Sequence, residues 1–143
     1  MKRVVVDTNV FVSSFFGGYP KKVVDLWKTG RIHLCLSRSI IEEYMTVLQR
    51  LGLQNTDELN QLLRVFASGH NNVFAAKVPT LNIVSDDPDD NRFIECAVAL
   101  KAEAIVSGDR HLKSIGNYMG IPIMTPKAFI DKFRFDSQVV DDS

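Results

Sequence analysis

Val4-Val5-Val6-Asp7-Thr8-Asn9 is the stretch that decides the fold of this chain. Three β-branched residues in an unbroken apolar run have the composition of a strand buried on both faces, as strands of a parallel sheet are. The run stops at an aspartate followed by turn-forming residues. Working outward, the same pattern recurs. Ile32 to Leu36 reads as a second strand, Ala104 to Ser107 as another, and Ile121 to Met124 as the last, with Pro122 pointing to a sheet edge. Leu81-Asn82-Ile83-Val84 is expected as a further short strand. Helical spacing fills the gaps. One helix is expected from Pro20 to about Thr29, with Val23, Val24 and Trp27 on one face and Gly30 as its stop. A second runs from about Ser39, where Ser39 and Glu42 have capping-box spacing, to Arg50 or Leu51 before Gly52. A third, from about Thr56 to Ser68, carries Leu59, Leu62, Leu63 and Phe66. A fourth follows the turn Ser85-Asp86-Asp87-Pro88-Asp89-Asp90 and runs to about Ala102. A short one spans Asp109 to about Ile115, and the last opens at Thr125-Pro126 and ends near Phe133. Residues 10–18 read as an apolar turn region ending in Gly17-Gly18, and Gly69 to Thr80 has no clear assignment. Strands alternating with helices imply an α/β three-layer sandwich, a mostly parallel central sheet flanked by helices. Such sheets bind ligands beyond the carboxyl ends of their strands.

The bulk properties bound the function. The chain has 143 residues, enough for one domain with a real core, expected from Met1 to about Phe135. The polar, acidic tail Asp136 to Ser143 is expected to be frayed. No run of ~18 apolar residues exists to span a membrane. Only three apolar residues separate Lys2-Arg3 from Asp7, too few for a signal peptide, so a cytoplasmic location is expected. Cys35 and Cys96 sit in apolar segments and read as reduced core residues. The 17 basic and 17 acidic residues cancel, which argues against nonspecific coating of nucleic acid. An acidic cluster beside local basic patches remains compatible with that sum.

Four acids stand out by position. Asp7 directly follows the first strand, and Asp109 follows Ala104 to Ser107 after one glycine. Each sits where a ligand site is expected, and each also suits a helix N-cap. Asp90 lies at i, i+3, i+4 and i+7 with Phe93, Ile94 and Ala97, in line with an apolar stripe. A carboxylate there either needs a partner or a metal, or simply enjoys the helix dipole. Glu43 falls at the edge of the inward face marked by Ile40, Tyr44, Val47 and Leu51, as a ligand or as a snorkelling edge residue. Four carboxylates at one end of a sheet repel one another unless cations neutralise them. All-oxygen ligation suits Mg²⁺ or Mn²⁺, one or two ions, and the chemistry such a site favours is phosphodiester hydrolysis.

These residues resemble the PIN-domain nucleases. Asp7-Thr8-Asn9 after a Val-rich strand looks like the family's first motif. Glu43 with Tyr44 and Val47-Leu48 is similar to the second, Asp90 with Phe93, Ile94 and Ala97 to the third, and Ser107-Gly108-Asp109 with Leu112 to the fourth. Ser107 stands where the family commonly has Thr, and a hydroxyl is kept. The resemblance covers nearly the whole chain. It implies a PIN fold, catalytic and metal-binding roles for Asp7, Glu43, Asp90 and Asp109, dependence on Mg²⁺ or Mn²⁺, and cleavage of RNA. It is nearest to the small VapC-like PIN proteins described as toxins of toxin–antitoxin pairs, which implies a homodimer and a small antitoxin partner.

Around the acids, Asn9 and Ser107 are candidates for orienting a ligand water or carboxylate, or for ordinary turn chemistry. Arg38, Arg92, Arg110, His111 and Lys113 are candidate phosphate contacts, or solvated surface charges. Phe15, Phe16 and Tyr19 are expected as core or dimer contacts, with stacking on an RNA base as the lesser reading. Two rival functions remain: a catalytically weak PIN-like binding module, and an aspartate-nucleophile phosphatase. The phosphatase usually has a second acid two residues after its nucleophile, where this chain has Asn9.

Overall fold

In the computed structural model, residues 2–53, 55–69, 71–83 and 90–141 are described. Strand β1 (Lys2–Val6) leads into a short helix α1 (Thr8–Ser13), a 3-10 turn (Ser14–Phe16) and helix α2 (Gly18–Lys28). Strand β2 (Ile32–Ser37) is followed by α3 (Arg38–Arg50), α4 (Asp57–Ser68) and strand β3 (Asn72–Ala75). Then come α5 (Asn91–Leu100), β4 (Ala104–Val106), α6 (Arg110–Ile115), β5 (Asn117–Tyr118), β6 (Ile121–Met124) and α7 (Pro126–Asp141).

The strands form one six-stranded sheet in the order β3-β2-β1-β4-β6-β5. All pairings are parallel except β5 with β6. Strand β1 is central, with Val4 opposite Leu34 on one side and Val6 opposite Val106 on the other. Successive side chains of a strand point to opposite faces, so burial of Val4, Val5 and Val6 alike requires cover on both faces. Helix α5 lies against β1 to β4, while α2 packs on β2 and α7, and α7 on β6. The stripe Phe93, Ile94 and Ala97 is buried, as the helical spacing predicts. Cys35 and Cys96 are buried free thiols. From β1 the chain builds outward to β2 and β3, then returns to place β4 and β6 on the other side of β1. The crevice between the carboxyl ends of β1 and β4 is therefore the topological switch point, where open parallel sheets bind ligands.

Several local expectations are corrected. The apolar region before Gly17 is helical, because Asp7 caps it: its Oδ1 accepts the Val10 N–H at 2.9 Å. Helix α3 is capped by Ser37, whose hydroxyl accepts from Ile40 N, and not by Ser39. Its inward stripe closes on Leu48, while Leu51 is 52% exposed. The third parallel strand beside β2 is Asn72–Ala75, where no pattern was legible, and Leu81 to Ile83 are not in a strand. Instead Leu81 N and Ile83 N bond the side chains of Glu95 and Asn91 on α5. Strand β6 is the last of the parallel set, with Pro122 opposite Asn117 of the short antiparallel β5. The last helix continues past Phe133 to Asp141. Asp86, Asp87 and Asp89, and the side chains of Leu62 and Phe66, lie outside the described residues. Among the described residues no helix is long and apolar enough to cross a membrane.

Candidate active site

Asp7 continues the β1 ladder by one bond, its N–H donating to Val106 O at 3.0 Å. The side chain is 3% exposed and occupied on both oxygens. Oδ1 accepts from Val10 N, and Oδ2 accepts from the hydroxyl of Ser107. Ser107 in turn accepts the Asp109 N–H at 2.9 Å, so one buried hydroxyl ties the ends of β1 and β4 together. Asp109 caps α6 through Oδ1 alone, accepting from His111 N at 2.8 Å and Leu112 N at 3.1 Å. Its Oδ2 takes no part in either bond. Capping and ligand roles are thus compatible at Asp109, since each engages a different oxygen.

Burial pushes the Asp7 carboxyl above its ordinary range, and the negative charge of Asp109 adds to the rise. Hydrogen bonds from Ser107, Val10 and the backbone of Asn9 partly offset this. The ionised form of Asp7 is therefore held at a cost that a bound cation would relieve.

Glu43 reaches the same end of the sheet from α3. Its neighbour Tyr44 is fully buried, stacks on Phe11 with ring centroids 4.2 Å apart, and donates its hydroxyl to Val6 O, one residue before Asp7. Burial first, and then the charges of Asp7, Cys96, Cys35 and Glu43, raise the Tyr44 pKa well above its ordinary value. Glu43 itself is ion-paired with Arg92 of α5 at 2.8 Å. Arg92 Nη1 also donates to Ser39 O at 3.1 Å, which clamps the first turns of α3 and α5 together. Asp90 immediately precedes α5 and is half-buried, so it stands at the start of the helix, at the N-terminal end of the stripe Phe93, Ile94 and Ala97.

The structure thus brings Asp7, Ser107 and Asp109 into one bonded unit, with Glu43 in the second turn of α3 and Asp90 at the start of α5. Among the described residues, no three acids, histidines or cysteines converge closely enough to hold one ion between them as they stand. The donor set is nonetheless all carboxylate and hydroxyl oxygen, which fits a hard divalent cation. Asp7 and Asp109 are the residues best placed to hold it. The hydroxyl Oγ1 of Thr8, buried next to Asp7 in the chain and with no hydrogen-bond partner among the described residues, is a further oxygen that sequence reasoning passed over.

The candidate cations divide. Arg92 is committed to Glu43, and Arg38 pairs with Glu42 at 2.9 Å on the surface. His111 is half-buried, its N–H on Asp109, and Lys113 is exposed on α6. Arg110 borders an open groove of about 370 Å³ beside Asp109, with Asn9, Ser13 and Gly108 on its walls. Asn9 is exposed there, and only its backbone engages Asp7. The tether from Tyr44 to Val6 was missed as a functional feature. A tyrosine on an otherwise aliphatic buried stripe was the available signal, because a buried phenol needs a partner.

Comparison with known proteins places the fold in a family. The family described as "PIN domain" matches residues 3–111, a span that includes Asp7, Glu43, Asp90 and Asp109. The chain is also 34% identical over 147 aligned positions to a Methanocaldococcus jannaschii protein, covering 92% of each. That relative's name, uncharacterized protein MJ1680, states no function. With more than half of its length matched, the chain belongs to the PIN domain family.

Proposed function

We propose that this protein is a metal-dependent endoribonuclease that hydrolyses RNA phosphodiesters with Asp7, Glu43, Asp90 and Asp109. The coarse part of the reading rests on the family: PIN domains are generally nucleases, act on nucleic acid and generally use divalent metals. The observation that carries the finer part is the pair Asp7 and Asp109, joined through Ser107 at the switch point of the sheet. A divalent ion bound there would lower the pKa of an attacking water and stabilise charge on the phosphate and leaving oxygen. The chain's own contribution is positional. Ser107 fixes one Asp7 oxygen and the Asp109 backbone, and Tyr44 anchors the helix that carries Glu43 to the end of β1. Arg92 holds Glu43 and must release it, or share it, before Glu43 can join a ligand set.

Likeness to the VapC-like group supports a toxin role with a small antitoxin and a homodimer, as a further part of the proposal. The pairing of Glu43 with Arg92 favours the second reading, a PIN-like RNA- or protein-binding module, if that pair persists in the presence of metal. One experiment separates them. Purified protein is incubated with a mixed pool of labelled RNAs in Mn²⁺, in Mg²⁺ and in chelator, beside Asp7→Asn. Metal-dependent cleavage that the folded variant lacks is the expected result. Folded, inhibitor-free wild-type protein that cuts nothing in either metal moves the assignment to the binding module.

A further inference from the structure

We propose that the groove beside Asp109 is a nucleotide subsite, in which the exposed ring of Phe16 stacks a base of single-stranded RNA while Arg110 holds an adjoining phosphate. The proposal deepens the nuclease reading by naming what grips the strand next to the carboxylates.

Helix α1 and the 3-10 turn are one continuous helical run. Ser13 and Ser14 at their junction both keep right-handed helical backbone, at φ −62°, ψ −23° and φ −60°, ψ −24°. Asn9, Ser13 and Phe16 are then spaced i, i+4 and i+7 and share a face. Asn9 and Ser13 line the groove, and the spacing carries Phe16 one turn beyond Ser13 on the same face, roughly 10 Å along the helix axis from Asn9 at the usual rise per residue. The run starts at Asp7, which fixes the direction of this face from the carboxylates outward.

Phe16 is 75% exposed, whereas its neighbour Phe15 packs edge-on against Phe11 and the core. Gly17 and Gly18 follow it, so no side chain of the next two residues covers the ring. A Cβ at Gly17 would meet nothing within 4 Å. The groove itself is mixed: Asn9, Ser13, Asp109 and Arg110 supply its polar groups, and Val10, Pro20 and Pro126 its apolar wall. An exposed π-face in line with a groove that carries Arg110 suits a nucleotide, which offers a base to stack and a phosphate to neutralise. Gly108 supports the same use of the groove. Its backbone has no left-handed φ, and a Cβ there would meet nothing within 4 Å, so the missing side chain serves to keep the wall beside Asp109 clear.

The test measures binding of a fluorescein-labelled single-stranded RNA decamer of mixed sequence by anisotropy, in chelator so that cleavage is suppressed. Wild type, Phe16→Ala, Phe16→Trp and Arg110→Gln are compared, and cleavage in Mn²⁺ is followed in parallel. Phe16→Ala should weaken binding roughly 5- to 150-fold, the range of one base stacked on one aromatic ring. Phe16→Trp should restore it, with melting temperatures unchanged throughout. Arg110→Gln should lower the salt dependence of binding by about one phosphate contact. A Phe16→Ala protein that binds like a wild type that cleaves would overturn the subsite and leave the nuclease reading standing. Phe16-dependent binding without cleavage in any metal would uphold the subsite and remove the nuclease reading. Wild type that neither binds nor cleaves removes both. If Phe16→Ala converts a dimer to a monomer in sedimentation with RNA affinity unchanged, the ring is a self-association contact and the proposal fails.

Discussion

Ser107 is the residue on which the most depends. Its buried hydroxyl donates to one aspartate and accepts from the backbone of the other. Ser107→Ala leaves the Asp109 N–H without its acceptor and strips Asp7 of one compensating bond. The expected loss of stability is about 1–3 kcal/mol, measured by denaturant unfolding, together with reduced cleavage. Asp7 has the opposite sign. Its folded pKa is raised above the ordinary 3.8, chiefly by burial, so the folded state keeps its proton at a pH where the unfolded state has released it. Stability then falls as pH climbs from about 3.8 through the raised folded pKa. Asp7→Asn should therefore raise the melting temperature in chelator at neutral pH while abolishing cleavage. The stabilisation should disappear in acid below about 3.8, where wild-type Asp7 is protonated in both states. A variant less stable than wild type at neutral pH would mean that Asp7 acts mainly as the cap of α1.

Among the elements, α3 has the most specific attachment. Ser37 starts it, Ile40 and Leu48 bury its aliphatic face, and Tyr44 reaches across to Val6 O. Tyr44→Phe keeps the stacked ring against Phe11 and deletes only the hydroxyl. The expected cost is about 0.5–1.5 kcal/mol, read as a lower denaturant midpoint with unchanged slope. A cost near zero would mean that packing alone seats the helix. Two elements, α1 and β3, were not legible. Helix α1 is shorter than the windows in which helical periodicity can be recognised, and its cap is a residue also read as a ligand. Strand β3 does carry the short apolar run Val73 to Ala76, but exposed Phe74 sits in the middle of it and two alanines close it, so it lacks the β-branched signature that marked β1. Pairing with β2 and the bond from Trp27 Nε1 to Asn72 Oδ1 at 2.9 Å hold it in place.

For the whole molecule, the two thiols are enclosed in the core. Burial pushes both Cys35 and Cys96 up to about 12 from 9.0. Iodoacetamide at pH 8 is expected to modify neither thiol in the native protein and both after unfolding, followed by mass spectrometry, because the thiolate is the reactive form. Above about pH 9 the unfolded chain releases these two protons while the folded chain keeps them. Stability should therefore decline between pH 9 and 12, a window set by these shifts. Fast native-state alkylation would show that the sheet opens locally around β2 or α5.

Much of the candidate site could be read from order alone. An acid after a buried strand must lie at that strand's carboxyl end, whatever the rest of the chain does. Asp7 and Asp109 were placed by that rule, and the alternation of strands and helices determined the α/β class, because local hydrophobic patterns report which faces are buried. Which strands are neighbours is a different matter. That β4 lies against β1, with Ser107 able to reach an aspartate 100 residues away and join it to Asp109, follows from long-range packing that no local pattern encodes. The same holds for Arg92, which reads as a free cation in sequence and finds Glu43 only when α5 crosses α3. Exposure of Phe16 beside a groove also emerged only from the assembled helices, because an aromatic in an apolar segment looks like core until its neighbours are known to turn away.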